Sequence, residues 1–135
     1  MSFSLLGCGV DAERVARFRK FADETCPMPM VFSEAEVAHN RTLANPEVGF
    51  CASFCCKEAL CKALEHPFNF PECEFLYRDA PAPHGVTLAP ALRNELGILD
   101  VQVTVLSNDV PGGKSQRAHG AELVVIVNVF EEASR

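Results

Sequence analysis

The apolar positions follow a helical period in the first half of the chain and a strand period in the second half. Residues 3–10 form a short apolar run with two glycines, typical of a strand, and Val15, Phe18 and Ala22 then recur at helical spacing. Residues 101–105 alternate apolar and polar side chains, which predicts a half-buried strand. The pattern therefore predicts a single α+β domain over residues 1–135, in which a long helix packs on a small antiparallel sheet.

Capping and turn residues set the predicted boundaries. Ser33 and Glu36 match a capping box, Asn45-Pro46 combines an N-cap with a helix-starting proline, and Gly97 is placed to end a helix. The first predicted helix starts at Asp11, and the others span residues 34–44, 47–65 and 90–96. The predicted strands span residues 3–10, 74–78, 86–88, 101–105 and 121–130.

The composition is that of a globular protein with a substantial core and an acidic surface. Of 135 residues, 48% are hydrophobic, and 18 acidic against 12 basic side chains leave a net charge of -6. This charge argues against nucleic-acid binding, which needs a basic face. No apolar run reaches the roughly 18 residues of a membrane span, and the first ten residues lack the basic start of a secretory signal. The expected location is the cytoplasm.

The seven cysteines, an odd number, do not form the pattern of a disulfide framework. Cys51, Cys55, Cys56 and Cys61 fall in the longest predicted helix, where only the first two lie one turn apart on one face. A tetrahedral zinc site would need further, distant ligands, so we interpret these cysteines as small core hydrophobes. The four histidines show no metal-ligand spacing and are expected on the surface or in loops, and only His84, in a turn, is placed to face a ligand.

Glu58 and Lys62 form the first candidate functional pair. They stand four residues apart in the longest predicted helix, so they share one face. The simpler interpretation is an exposed ion pair that contributes about 0.3–0.5 kcal/mol. The alternative starts from the apolar neighbours of Glu58, because a carboxylate among them needs a partner, and a metal ion is one candidate.

Asp11 is the second candidate, because it stands where the first strand meets the first predicted helix. The simplest role for an aspartate at such a junction is an N-cap. The same position would place a carboxylate beside backbone donors suited to phosphate. It could then hold a Mg²⁺ ion that a pyrophosphate also binds, since Mg²⁺ is usually held by one or two carboxylates together with substrate phosphates.

Three segments of the first half resemble the holo-acyl-carrier-protein synthase family of 4′-phosphopantetheinyl transferases. Gly7-Cys8-Gly9-Val10-Asp11, followed by Arg17, is similar to the family's G-x-G-x-D…R signature. Residues 32–36 (FSEAE) are similar to its F-T-x-x-E segment, and residues 54–64 (FCCKEALCKAL) resemble its F-A-A-K-E-A-x-x-K-A-[LF] helix. The second half agrees only in its plan of strands and turns.

This resemblance implies transfer of the 4′-phosphopantetheine arm from coenzyme A to a serine of an acyl carrier protein, with Mg²⁺ as the cofactor. By position, Asp11 and Glu58 would bind the metal, Glu58 and Lys62 would be catalytic, and Lys62 would contact phosphate. Arg17 would lie on the surface that meets the acidic carrier. Family members commonly form trimers with active sites between subunits, so a homotrimer is expected.

The resemblance also marks two altered substrate contacts. Asn108 stands where the family's S-[ILV]-[ST]-H segment carries a histidine near the coenzyme, and asparagine cannot carry a proton at neutral pH. The family's G-K-P turn corresponds to Pro83-His84-Gly85, which leaves His84 as the candidate contact there. The loop 108–120 is longer than usual, and its Gly112-Gly113-Lys114-Ser115 lacks the first glycine of a P-loop, so we interpret it as a polar loop.

Two other classes of function remain open from the sequence. A catalytically inactive homologue would bind a carrier protein or coenzyme A without transferring anything. A cysteine-based metal or redox protein would contain stoichiometric zinc or lose its fold on chelation.

Overall fold

The computed structural model describes residues 2–79, 82–108 and 121–133. Its helices are α1 (Glu34–Thr42), α2 (Pro46–Leu64) and α3 (Pro90–Leu96), with 3₁₀ helices at Val15–Ala22 and Phe70–Glu72. Its strands are β1 (Phe3–Arg14), β2 (Cys73–Leu76), β3 (Gly85–Leu88), β4 (Asp100–Ser107) and β5 (Glu122–Glu132). This mixture of helices and small antiparallel sheets confirms the predicted fold class.

The strands form two antiparallel sheets, one in the order β1-β5-β4 and one that pairs β2 with β3. Along β5, Leu123, Val125, Val127 and Val129 are buried and alternate with half-buried residues. The buried face of the three-stranded sheet packs on α2, and the other face is directed away from the core.

The helix α2 is the central element of the core, because most of its residues are buried. Cys51, Cys55 and Cys56 are fully buried within this core, which confirms that they serve as core hydrophobes. Cys61 is half-buried and Cys8 is exposed on β1, and all seven cysteines are free thiols.

The prediction of a helix that starts at Asp11 is wrong. β1 continues to Arg14, and Asp11 lies within its ladder to β5. The helical backbone begins only at Val15 and is 3₁₀, so its buried residues Val15, Phe18 and Phe21 recur every three positions. Asp11 is therefore neither an N-cap nor close to a helix N-terminus, because pairing with β5 keeps the backbone extended beyond the apolar run.

The other predicted elements are present, with boundaries shifted by at most two residues. Both bonds of the Ser33–Glu36 capping box form, and Gly97 ends α3 in the left-handed conformation with φ 66°. β4 is longer than predicted at both ends, since pairing with β5 continues as far as Asp100 and Ser107. The predicted loop 108–120 lies, apart from its first residue, outside the described residues.

The last turn of α2 ends on a glutamate in a conformation that favours glycine. Glu65 has φ 51° at the C-cap of α2, and Gly97 has φ 66° at the equivalent position of α3. The left-handed region costs a residue with a Cβ about 1 kcal/mol relative to glycine. We expect Glu65→Gly to raise the free energy of unfolding by about 0.5–1 kcal/mol, net of the greater backbone entropy that glycine has in the unfolded chain.

The reverse substitution at the second cap is the matched control. Gly97→Ala should lower the free energy of unfolding by about 1 kcal/mol, and only through the backbone, because nothing lies within 4 Å of an added Cβ. Urea denaturation measures both variants. A loss of stability in both would contradict this explanation.

Candidate functional site

Two glycines let β1 lie directly on α2. A Cβ at Gly7 would lie 1.9 Å from the carbonyl oxygen of Ala63, and a Cβ at Gly9 would lie 1.8 Å from that of Ala59. The two glycines of the first motif are therefore required for packing. Because they lie against successive turns of α2, Asp11 comes beside the preceding turn of this helix.

The Asp11 carboxylate lies between β1 and α2, with 16% of its side chain exposed. Lys62 Nζ lies 3.1 Å from Asp11 Oδ1 and also donates to the carbonyl oxygen of Val10 at 2.9 Å. Asp11 Oδ2 is buried and accepts no hydrogen bond that meets normal geometry within the described part of the chain. A buried carboxylate oxygen without a partner is costly unless a cation or a ligand completes its environment.

The thiol of Cys55 lies beside the same carboxylate. The pKa of Cys55 is raised, first by its interaction with the Cys51 thiol and then by burial, with a smaller contribution from the charge of Asp11. Cys55 is therefore a protonated thiol at neutral pH. Its uncharged side chain lines the site. It is not a nucleophile, because only the deprotonated thiolate is nucleophilic.

Helical spacing places Glu58 on the same side of α2 as the residues that contact Asp11. It stands three residues after Cys55 and four before Lys62, the two α2 side chains that contact Asp11, so it shares their part of the helix surface. Its side chain is half-buried. Among the described residues, Lys62 forms its ion pair with Asp11 and not with Glu58, so the surface pair considered from the sequence is not formed. We call Asp11, Glu58 and Lys62 the acidic corner.

The acidic corner has two carboxylates and one ammonium group. No group of three or more His, Cys, Asp or Glu side chains close enough to hold a metal occurs in residues 2–79, 82–108 and 121–133. Two carboxylates suit a hard cation that takes its remaining ligands from water and substrate phosphate. The unpartnered Oδ2 of Asp11 fits such a cation.

Arg17 lies outside the acidic corner, on the exposed side of the first 3₁₀ helix, where it pairs with Glu13. Arg17 and Lys20 border a groove of about 230 Å³ with an aromatic lining. Phe54, which belongs to this lining, stands one turn before Glu58 on α2. The groove and the acidic corner are therefore neighbours.

His84 and Asn108, the two residues predicted to replace substrate contacts, are both held by hydrogen bonds to the backbone. His84 Nδ1 accepts a hydrogen bond from the Arg78 backbone N–H at 3.1 Å, and its ring stacks on Tyr77. Burial, and then the charge of Arg78, lower the pKa of His84, so its imidazole is neutral at physiological pH. Asn108 Oδ1 accepts a hydrogen bond from the backbone N–H of Glu122 at 2.8 Å.

The sequence interpretation misses a buried ion pair behind the acidic corner. Lys57 and Glu36 have no exposed side-chain surface, and Lys57 Nζ lies 2.5 Å from Glu36 Oε1. The capping-box pattern identifies Glu36 only as a cap. The sequence does contain one signal of this pair, since Lys57 stands among apolar residues in the long helix. A buried ammonium group needs an acidic partner.

Several solved structures have a fold similar to that of this chain. Holo-acyl-carrier-protein synthase from Neisseria meningitidis is 18% identical, with a TM-score of 0.70 over 93% of this chain and 98% of that one. The Plasmodium yoelii acyl carrier protein synthase with ADP bound is 16% identical, with a TM-score of 0.69 over 98% and 100%. The Bacillus anthracis enzyme in complex with CoA (3′,5′-ADP) is 17% identical, with a TM-score of 0.66 over 95% and 98%. The fold is therefore that of the acyl-carrier-protein synthases.

The 4′-phosphopantetheinyl transferase superfamily matches residues 7–107, a span that includes the whole acidic corner. This chain belongs to that superfamily of transferases, which confirms the resemblance of its three motifs. No curated protein matches the sequence.

Proposed function

We propose that this protein transfers 4′-phosphopantetheine from coenzyme A to a serine of an acyl carrier protein in a Mg²⁺-dependent reaction. The observation that carries the proposal is the buried, unpartnered Oδ2 of Asp11 next to Lys62, on the side of α2 that Glu58 shares by helical spacing, in a member of this superfamily. The ADP and CoA in the Plasmodium yoelii and Bacillus anthracis proteins support a coenzyme as the substrate.

In this reaction the serine oxygen forms a bond to the β-phosphorus of coenzyme A, and the bond from that phosphorus to the leaving 3′,5′-ADP breaks. Glu58 accepts the serine proton, directly or through water. Lys62 is 54% exposed, so its ammonium group can contact a phosphate oxygen while it stays close to Asp11. Its charge then stabilises the negative charge that grows on the transferred group.

Asp11 and Glu58 would hold the metal ion of this site, with Asp11 contributing Oδ2. Mg²⁺, when bound, neutralises charge on the pyrophosphate and helps to orient it. Oδ1 of Asp11 remains paired with Lys62. One oxygen of the carboxylate would therefore bind the metal while the other accepts a hydrogen bond from the lysine.

The groove beside Phe54 is proposed as the surface that meets the carrier. Arg17 and Lys20 stand three residues apart on a 3₁₀ helix and therefore share one side of it, and both border the groove. This local positive charge, on a chain of net charge -6, suits an acidic partner, and the aromatic lining suits an apolar side chain of that partner.

We expect Arg17→Ala to raise the KM for the carrier several-fold with little change in kcat, because a rim charge acts mainly on association. Arg19→Ala is the matched control, since Arg19 is exposed on another side of the same short helix. Steady-state kinetics at two salt concentrations measure both variants. An equal effect of both would contradict a specific role of the groove.

We propose that the protein forms a homotrimer, because the outer face of the three-stranded sheet carries exposed apolar side chains. Leu106 is 52% and Val10 46% exposed there, and their cross-strand neighbours on β5 are Val124 and Ile126. A continuous apolar surface of this kind favours an oligomeric interface, and the family resemblance favours three copies. Native mass spectrometry should show a mass of three chains, and a stable monomer would contradict the proposal.

The protein is proposed to act in the cytoplasm as a single domain over residues 1–135. Within the described ranges, no helix combines the length and the apolar character that crossing a membrane requires. Fractionation of cells that express a tagged chain tests the location, and limited proteolysis tests the domain.

Intact-mass analysis of an apo-carrier protein incubated with the enzyme, coenzyme A and Mg²⁺ tests the activity. We expect the carrier to gain the mass of one phosphopantetheine, and to gain none when the metal is chelated. Stabilisation of the protein by coenzyme A and Mg²⁺, without any mass gain on a panel of carriers, would identify the catalytically inactive homologue instead.

A further inference from the structure

A buried ion pair joins α2 to the elements on its side away from β1. Lys57 Nζ donates to Glu36 Oε1 at 2.5 Å, to the carbonyl oxygen of Val31 at 2.7 Å and to that of Phe70 at 3.1 Å. These three bonds use all three donors of the ammonium group. Lys57 therefore connects α2 to α1, to the segment that precedes α1 and to the 3₁₀ helix that begins at Phe70.

The Glu36 carboxylate is saturated in the same way. Besides Lys57, its Oε1 accepts a hydrogen bond from the Ser33 backbone N–H at 2.9 Å. Its Oε2 accepts from the Phe75 backbone N–H at 2.9 Å and from the Ser53 hydroxyl. Phe75 belongs to β2, and Ser53 lies one turn before Lys57. One carboxylate therefore joins α1, β2 and two successive turns of α2.

Stability alone does not account for this pair. Desolvation of two buried charges offsets most of their attraction, and an uncharged pair of similar volume is often as stable. What the geometry does specify is the rotation of α2 about its own axis. Residues on a helix are separated by about 100° each, so Lys57 projects about 100° from Glu58 and about 140° from Lys62.

The opposite side of α2 is held by β1, where the glycine contacts leave no room for a shift. The helix is thus held on the side that packs on β1 and on the side that carries Lys57. Glu58 lies on the less buried surface of α2 between these two sides. A rotation of α2 that turned Glu58 away from Asp11 would have to break the buried ion pair. The same lysine also holds the segment at Phe70, whose ring lies 6.5 Å from that of Phe54, one turn before Glu58.

We propose that the Glu36–Lys57 ion pair is a positioning device that fixes the rotation of α2 and thereby directs Glu58 toward Asp11. Neither residue contacts the acidic corner, so both are positioning residues. The inference rests on the proposed function, because its consequence is the geometry of the proposed metal site.

The test replaces the pair by an uncharged one, in the variant Glu36→Gln/Lys57→Met, which leaves no unpaired charge in the core. We expect kcat to fall about 10- to 100-fold, as small displacements of catalytic groups do. The Mg²⁺ concentration for half-maximal rate should rise, and the KM for the carrier should change less than kcat does, because Arg17 and Lys20 at the rim of the groove are retained. Circular dichroism confirms folding, and if this double variant does not fold, the uncharged pair Glu36→Gln/Lys57→Gln, whose amides can still donate to the buried carbonyl oxygens, replaces it.

Ser53→Ala is the matched control. It removes one hydrogen bond from the same buried carboxylate but leaves the ion pair intact, so stability should fall while kcat and the Mg²⁺ requirement stay unchanged. Wild-type kcat and Mg²⁺ requirement in the folded double variant would overturn the positioning role and leave the proposed function standing. A wild-type protein that neither transfers phosphopantetheine nor binds coenzyme A with Mg²⁺ would overturn both.

Discussion

Replacement of Glu58 by glutamine is expected to lower the rate of phosphopantetheine transfer by about 10²–10³-fold, the usual cost of removing one electrostatic group from a transition state. Glutamine keeps the size of the side chain but removes the charge that would bind Mg²⁺ and the oxygen that would accept the serine proton. Stability should change little, because Glu58 is only half-buried and forms no ion pair among the described residues. Transfer is measured by the intact mass of the carrier.

Glu47→Gln is the matched control for this substitution. Glu47 lies in the first turn of the same helix, eleven residues and therefore about 16 Å along the axis from Glu58. It should retain the wild-type rate. A Glu58→Gln protein that is folded and transfers at the wild-type rate would remove Glu58 from the proposed mechanism, and an equal loss in both variants would point to a general effect of charge on α2.

The second large effect is expected from Gly9→Ala. The added Cβ would lie 1.8 Å from the Ala59 carbonyl oxygen, a backbone atom that cannot move without displacing α2. We expect a loss of about 3 kcal/mol or more in the free energy of unfolding, at the upper end of the usual cost of overpacking. If the protein still folds, β1 and α2 must separate, and transfer should fall as well because Asp11 moves away from Glu58.

Gly85→Ala is the control for this prediction. A Cβ at Gly85 would meet its nearest atom, in the Arg78 side chain, at 3.4 Å, an ordinary contact with a flexible group. Its effect on stability should stay within about 0.5 kcal/mol. Urea denaturation followed by circular dichroism measures both variants. A Gly9→Ala protein as stable as the control would show that β1 and α2 are less tightly packed than the structure indicates.

Most secondary-structure elements follow from local signals in the chain. The Ser33–Glu36 capping box, the Asn45-Pro46 helix start and Gly97 act over a few residues, so their outcome does not depend on the rest of the fold. The end of β1 is different, because Asp11 to Arg14 stay extended through pairing with a strand more than a hundred residues later. Local periodicity carries no information about that partner.

The sequence also predicts one part of the candidate site, while another part depends on the tertiary structure. Spacing alone puts Glu58 and Lys62 on one side of a helix, and the motifs identify Asp11 as their companion. The pairing of Lys62 with Asp11 rather than with Glu58 depends on the angle at which β1 crosses α2, and the close contact at Gly7 and Gly9 sets that angle. A sequence pattern specifies which residues share a face, but not which atoms of another element reach them.

The chain's own pattern thus accounts for the α+β class, the long central helix and the residue types of the acidic corner. Folding in three dimensions adds the unpartnered oxygen of Asp11 and the burial of Lys57 against Glu36. The reason is physical: periodicity and capping are properties of neighbours in the chain. Desolvation and the pairing of charges depend on every element that packs around a group.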